Sequence, residues 1–244
     1  MKIPVESIFD HQMINFHGFL EILSFFFAFR YYIFLRRNQA DYISSKNRHF
    51  IILGAVIGAL LGSRLMGFLE DPVPIHNYQV LLESKTIMGG LFGGLICVEI
   101  TKWKIGEKKS SGDLFTLPII LGIFIGRIGC FLTGVNEFTY GSETTFFLGM
   151  NLGDGLQRHP IALYEMIYLA IIYFIIRRLG NLNKLDYGDL FKLFMILYFS
   201  FRFMLEFIKP NVFLIFGFSS IQYLCLLCLL YYYKTITKFI KYAS

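Results

Sequence analysis

Residues 114–132 read LFTLPIILGIFIGRIGCFL, nineteen residues carrying one formal charge, Arg127. About twenty apolar residues cross a bilayer as a helix, and an open sheet cannot, because its edge groups would find no water. Arginine does not lose its proton, so its charge must be paired, hydrated or carried to an interface. Even low estimates put an arginine at the bilayer centre at roughly 2.5 to 3.5 kcal/mol. The pattern recurs in IILGAVIGALLGSRLMGFL (51–69), with Arg64, and in LFKLFMILYFSFRFMLEFI (190–208), with Arg202. Three such arginines imply a site that binds an anion.

Composition agrees. The chain has 244 residues, 55% of them hydrophobic, with 28 Phe and only 16% charged residues. A soluble domain carries about 25% charge, so this is an integral membrane protein. The net charge of +6 does not indicate nucleic acid, because the basic residues fall between apolar segments, where they orient the chain. Cys97, Cys130, Cys225 and Cys228 all lie in apolar segments. Cys225 and Cys228 have metal-like spacing but no partner cluster, so core packing is expected and no metal. No cleavable leader is evident, since the first fifteen residues include Glu6, Asp10 and His11.

Seven stretches are long and apolar enough to span: roughly 16–35, 49–69, 86–103, 114–135, 160–178, 190–208 and 213–233. The connections alternate in charge. Arg36, Arg37, Lys46 and Arg48 (against Asp41) follow the first, and Glu70, Asp71 and Glu83 (against Lys85) follow the second. Lys102, Lys104, Lys108 and Lys109 follow the third, Arg177, Arg178 and Lys184 the fifth, and Lys234, Lys238 and Lys241 the last. Basic loops face the cytoplasm. The expectation is an all-α, polytopic membrane protein with about seven transmembrane helices, N-terminus outside and C-terminus cytoplasmic. Residues 1–244 form a single transmembrane domain with an external loop at about 136–159.

That topology puts Arg64, Arg127 and Arg202 at one depth, in the outer leaflet. Asn15 and His17 reach the same level from the first segment, and His159, Tyr164 and Glu165 from the fifth. Glu206 follows Arg202 by four residues, one helical turn along the same face, so the two can pair. Snorkelling with an ordinary Arg202–Glu206 pair is the alternative for each arginine taken alone. A phospholipid phosphate suits such a pocket, since guanidinium binds phosphate oxygens bidentately. Glycines at four-residue spacing, Gly54, Gly58 and Gly62, suit close helix packing. Gly89–Gly90 and Gly93–Gly94 either pack likewise or leave room for a lipid. The stretch NEFTYGSETTFFLGMNLGDGLQR (136–158) is turn-rich, and is read as either a lid over the pocket or a plain connection.

At these residues the chain resembles the prolipoprotein diacylglyceryl transferase family. GRIGCFLTG (126–134), then Glu137 and Gly141, is similar to the family's Gly-Arg-x-Gly-Asn-Phe-x-Asn, then Glu and Gly. RHPIALYE (158–165) matches Arg-His-Pro-x-x-Leu-Tyr-Glu, and YFSFRFMLEFIKP (198–210) matches Tyr-x-x-x-Arg-x-x-x-Glu-Phe. FHGF at His17, GSRL at Arg64 and SSIQ (219–222) match more weakly. The resemblance implies transfer of the diacylglyceryl group of phosphatidylglycerol to the lipobox cysteine thiol of a lipoprotein precursor, releasing glycerol phosphate.

On that resemblance Arg127 and Arg202 hold the phosphate and stabilise its leaving charge, Glu206 orients Arg202, and Tyr198 and Glu137 line the pocket. The candidate binding set adds Arg64, Gly89, Gly90, Cys130, Gly141, His159, Tyr164 and Glu165. The nucleophile is the peptide thiol, so neither cofactor nor metal is implied. The partners are an anionic phospholipid and a precursor peptide, in a monomer of the bacterial inner membrane. Three positions depart from the pattern. The His of a typical His-Gly-Gly is Met88, a thioether that accepts no proton at neutral pH. The signature asparagine is Cys130, read as an inert packing residue, and His-x-Tyr-Gly becomes Asn15-Phe16-His17-Gly18. His17 is therefore the candidate base, on the condition that it lies close to Met88. The competing reading is a catalytically altered or inactive homologue that binds phospholipid or uses a different acceptor. A small-solute transporter is disfavoured by the lack of an inverted repeat.

Overall fold

A computed structural model of the chain describes residues 3–4, 16–70, 84–182, 185–211 and 215–243. Glu6, Asp10, His11, Asn15, Asp71, Glu83 and Lys184, weighed above, lie outside them. The helices are α1 (Phe16–Asn38), α2 (Ser45–Glu70), α3 (Ile87–Ile105), α4 (Asp113–Thr133), α5 (Ile161–Asn181), α6 (Asp189–Leu205), α7 (Ser220–Tyr231) and α8 (Tyr233–Ala243). The only strands among the described residues are β1 (Met150–Asn151) and β2 (Gln157–Arg158), an antiparallel ribbon. The protein is therefore mostly helical, as expected.

Three helical stretches, His17–Asn38, Ser45–Glu70 and Asp113–Asn136, are long and apolar enough to cross a membrane by length and composition. The others are shorter or more charged. α3 carries Glu99, Lys102 and Lys104, and α5 carries Glu165, Arg177 and Arg178. α7 begins later than the sequence suggests, because Phe216 and Gly217 turn with positive φ before it. Ser219 and Gln222 then start the helix with a reciprocal capping box.

The chain divides into two compact units. The first comprises Met1–Ala40, Gly112–Phe194 and Phe207–Pro210. Here α1 packs on α4 and α4 on α5. Tyr32 stacks on Phe115 with ring centroids 4.4 Å apart, and the Tyr31 and Tyr173 hydroxyls meet at 3.0 Å. Asp113, opening α4, accepts backbone N–H bonds from Gly188 at 2.5 Å and Phe191 at 3.1 Å, which ties the two helix starts together.

The second unit comprises Asp41–Ser111, Met195–Glu206 and Asn211–Ser244. α2 lies against α3 along a glycine seam. A Cβ on Gly58 would collide with the Gly93 carbonyl, and one on Gly62 with that of Gly89. Only residues without side chains allow this approach, so the packing reading holds for Gly54, Gly58 and Gly62. Arg48, counted in the sequence as a loop charge, is fully buried. Its Nε donates to Asp41 at 3.1 Å and its Nη1 to the Ser111 carbonyl at 2.9 Å, locking the start of α2.

Candidate active site

In the first unit, Arg127 and Cys130 sit three residues apart on α4 and so share a face. Gly129 lets the first turn of α1 come close, since a Cβ there would meet His17 Cδ2 at 3.1 Å. His17 thereby reaches two partners. Its Nε2 lies 3.5 Å from Cys130 Sγ and its Nδ1 lies 3.4 Å from Glu137 Oε1. Glu137 follows a turn of 3₁₀ helix at Gly134–Asn136 that ends α4.

Arg127 completes the array. Its Nη1 is 3.6 Å from the same sulfur and its Nε is 2.9 Å from Glu165 Oε2. Glu165 lies in the first turn or so of α5 and has no exposed surface. A continuous polar line thus runs Glu165–Arg127–Cys130–His17–Glu137, from three helices and one loop of the unit. Cys130 is buried as expected, but its polar neighbours are an imidazole and a guanidinium. Cys130 also borders a small cavity walled by Phe131, Gly134, Tyr140, Leu152 and Ile161, about one water in size.

The segment after α4 is organised by the remaining candidates. Gly141 N–H donates to the His159 carbonyl at 2.9 Å, and a Cβ on Gly141 would press on that carbonyl at 2.8 Å. His159 Nδ1 meets the Tyr164 hydroxyl at 3.2 Å. The Asn151 side chain accepts from Gly153 and Gly155, both at positive φ, which shapes the ribbon's turn. Arg158 hydrogen-bonds Asp154 at 2.6 Å, and that bond holds the Asp154 carboxyl below the usual carboxylate range.

The second unit holds the other arginines. Arg202 Nη2 donates to Glu206 Oε1 at 2.8 Å, and both groups are buried, as the four-residue spacing predicts. The other carboxylate oxygen accepts from Ser219 Oγ at 3.3 Å. Tyr198, one turn before Arg202, has no exposed surface. Arg64 is half-buried, and its Nη1 donates to the Ser84 carbonyl at 3.3 Å. Met88 is buried in the first turn of α3, which Thr86 caps. Gly89 is taken up by contact with Gly62 and Met66, whereas a Cβ on Gly90 would still clear Ala59 O at 3.6 Å.

A carboxylate against one edge of a guanidinium fixes its plane and reduces the cost of burying the charge. The fork has five donors, so an arginine held this way can still address phosphate oxygens. The Arg127–Glu165 pair was not visible in the sequence, since 38 residues separate the two and no local periodicity links them. Cys130 facing His17 was likewise unforeseen, and the paired departures from the family pattern at both positions were its only signal.

Residues 6–237 match the family described as prolipoprotein diacylglyceryl transferase. A phosphatidylglycerol–prolipoprotein diacylglyceryl transferase of Nitratidesulfovibrio vulgaris (strain DP4) is 34% identical over 190 residues, covering 72% of this chain and 68% of the relative. The protein so named from Wolbachia pipientis subsp. Culex pipiens is 33% identical over 225 residues, covering 84% and 81%. That of Hydrogenovibrio crunogenus is 27% identical over 218 residues, covering 84% and 80%. The chain belongs to the prolipoprotein diacylglyceryl transferase family.

Proposed function

We propose that the chain transfers the diacylglyceryl group of phosphatidylglycerol to the lipobox cysteine thiol of a prolipoprotein, releasing glycerol phosphate. Family membership supports the activity. The observation that carries the site is the buried Arg127, held by Glu165 at 2.9 Å beside the His17–Cys130 contact. In the reaction the peptide sulfur attacks the glycerol carbon, the carbon–oxygen bond to phosphate breaks, and negative charge grows on the departing phosphate. Arg127 and Arg202 stabilise that charge electrostatically, each oriented by its glutamate. His17 takes up the proton the acceptor thiol loses, with Glu137 on its other ring nitrogen. Tyr198, Arg64, Gly90, Gly141, His159 and Tyr164 shape the binding surfaces, and Gly89 acts through helix packing.

The chain is a monomeric, multi-pass protein of the bacterial inner membrane, one transmembrane domain of about seven spans. Its N-terminus is outside, its C-terminus is cytoplasmic, and the segment at about 136–159 is external. A phosphatidylglycerol-binding homologue with altered chemistry is the second reading, favoured by Met88, which offers no proton acceptor. Complementation separates the two. Expression in cells depleted of their own transferase should restore lipoprotein maturation and growth. Well-expressed, folded protein that restores neither would favour the second reading.

A further inference from the structure

Both ring nitrogens of His17 are already engaged, Nδ1 by Glu137 at 3.4 Å and Nε2 by Cys130 at 3.5 Å. An incoming thiol therefore meets no open ring nitrogen. Cys130 also borders a small cavity. We propose that Cys130 is a proton relay, through which the acceptor thiol's proton reaches His17. This rests on the transferase reading of the same site.

The transfer balances without a further reactant. The acceptor S–H proton passes to the Cys130 sulfur while the Cys130 proton passes to His17 Nε2. The acceptor sulfur forms the bond to the lipid glycerol carbon, and the carbon–oxygen bond to phosphate breaks. The proton on His17 leaves with the phosphate product or to water, and Cys130 ends as it began. Donor and acceptor in the first step are both thiols, so the exchange has almost no intrinsic bias and is driven by the imidazole behind it. The Glu137 carboxylate, 3.4 Å from Nδ1, favours a proton on that nitrogen and so leaves Nε2 unprotonated toward the sulfur, the usual role of a second partner on histidine. Arg127 Nη1, 3.6 Å from the sulfur, places the relay beside the phosphate contact. Cys130 stands at the family's asparagine position and His17 at its tyrosine position, so the two changes act as one pair.

Two measurements on the purified full-length protein in phosphatidylglycerol-containing nanodiscs test this. The first is the iodoacetamide alkylation rate of each cysteine by peptide mass mapping, which needs no turnover. The Cys130 rate should fall at least tenfold in His17→Ala and several-fold in Glu137→Gln, while Cys225 and Cys228 stay unchanged as folding controls. A Cys130 rate indifferent to His17 overturns the relay. The second is transfer to a lipobox peptide. Cys130→Ala should lose about 100-fold in kcat, whereas Cys130→Ser, which keeps a hydroxyl able to pass a proton, should retain most of it. Wild-type turnover by Cys130→Ala overturns the relay while leaving the transferase reading intact. Coupled alkylation with no wild-type transfer would remove the transferase reading and leave the Cys130–His17 proton couple standing.

Discussion

Arg127 and Arg202 are equally buried, yet they are held in different ways. Arg202 is tied to Glu206, four residues on in the 3₁₀ turn that follows α6, with Ser219 steadying the carboxylate. Arg127 is tied to Glu165 on another helix and lies beside a thiol of its own helix, which in turn faces an imidazole from a third. The first arrangement is local and survives as long as α6 and the 3₁₀ turn that follows it do. The second exists only when α1, α4 and α5 are packed. An anion contact of the second kind reports on the whole unit and can be coupled to proton transfer.

The largest effect that would sharpen this contrast is on activity. Arg127→Ala and Arg202→Ala should each lose about 10²- to 10³-fold in kcat/KM, the loss usual for one electrostatic contact to a developing negative charge. Lysine separates them. Arg127 uses two edges, Nε toward Glu165 and Nη1 toward Cys130, and a point charge cannot reproduce a fork. Arg127→Lys should therefore stay near the alanine value while Arg202→Lys recovers part of the rate. Equal recovery at both positions would break the comparison.

Stability comes next. Glu165→Gln leaves a buried guanidinium without its cross-helix carboxylate and should cost about 3 kcal/mol, the low end for breaking a buried pair. Glu206→Gln should cost roughly 1.5 kcal/mol, because the amide oxygen still accepts from Arg202 four residues away while the amide NH2 can donate to the Ser219 hydroxyl oxygen. Thermal unfolding in detergent checks both, and a reversed order would contradict the local-versus-tertiary distinction. In the second unit, Gly58→Leu should cost about 1–3 kcal/mol by overpacking against Gly93 and Cys97. Gly126→Ala, where a Cβ meets nothing within 4 Å, should be nearly neutral.

These differences also mark what the sequence could reveal. Helix positions were legible because apolar runs of near-bilayer length leave few alternatives. The Arg202–Glu206 pair was legible because i, i+4 spacing is a property of the helix alone. The Arg127–Glu165 pair, the buried Arg48 lock and the Cys130–His17 contact depend on which helix faces which, and no local period carries that. The start of α7 was misplaced for a related reason. Phe216 and Gly217 are apolar or neutral in a hydropathy reading, and only backbone geometry shows that they turn. The loop at 136–159 looked merely turn-rich, because a two-residue ribbon is too short to show alternation.

The smallest expected effect lies in that ribbon. The Arg158 bond lowers the Asp154 pKa in the folded chain. Its contribution is therefore present above the ordinary aspartate value of about 3.9 and is lost as pH falls through the lower folded value. Amide exchange at Gly155 and Leu156 should be pH-independent in protection from neutrality to about pH 5 and should lose protection below the folded pKa. Asp154→Asn should remove that change. A loss of protection near pH 6 would assign it to another group.

Transfer to the acceptor thiol is the central chemical event. Purified protein incubated with phosphatidylglycerol and a lipobox peptide, followed by intact-mass analysis, tests it directly. The predicted result is a diacylglyceryl adduct on the peptide cysteine, matched by released glycerol phosphate and abolished in Arg127→Ala. Folded, lipid-bound protein that leaves the peptide mass unchanged would contradict it.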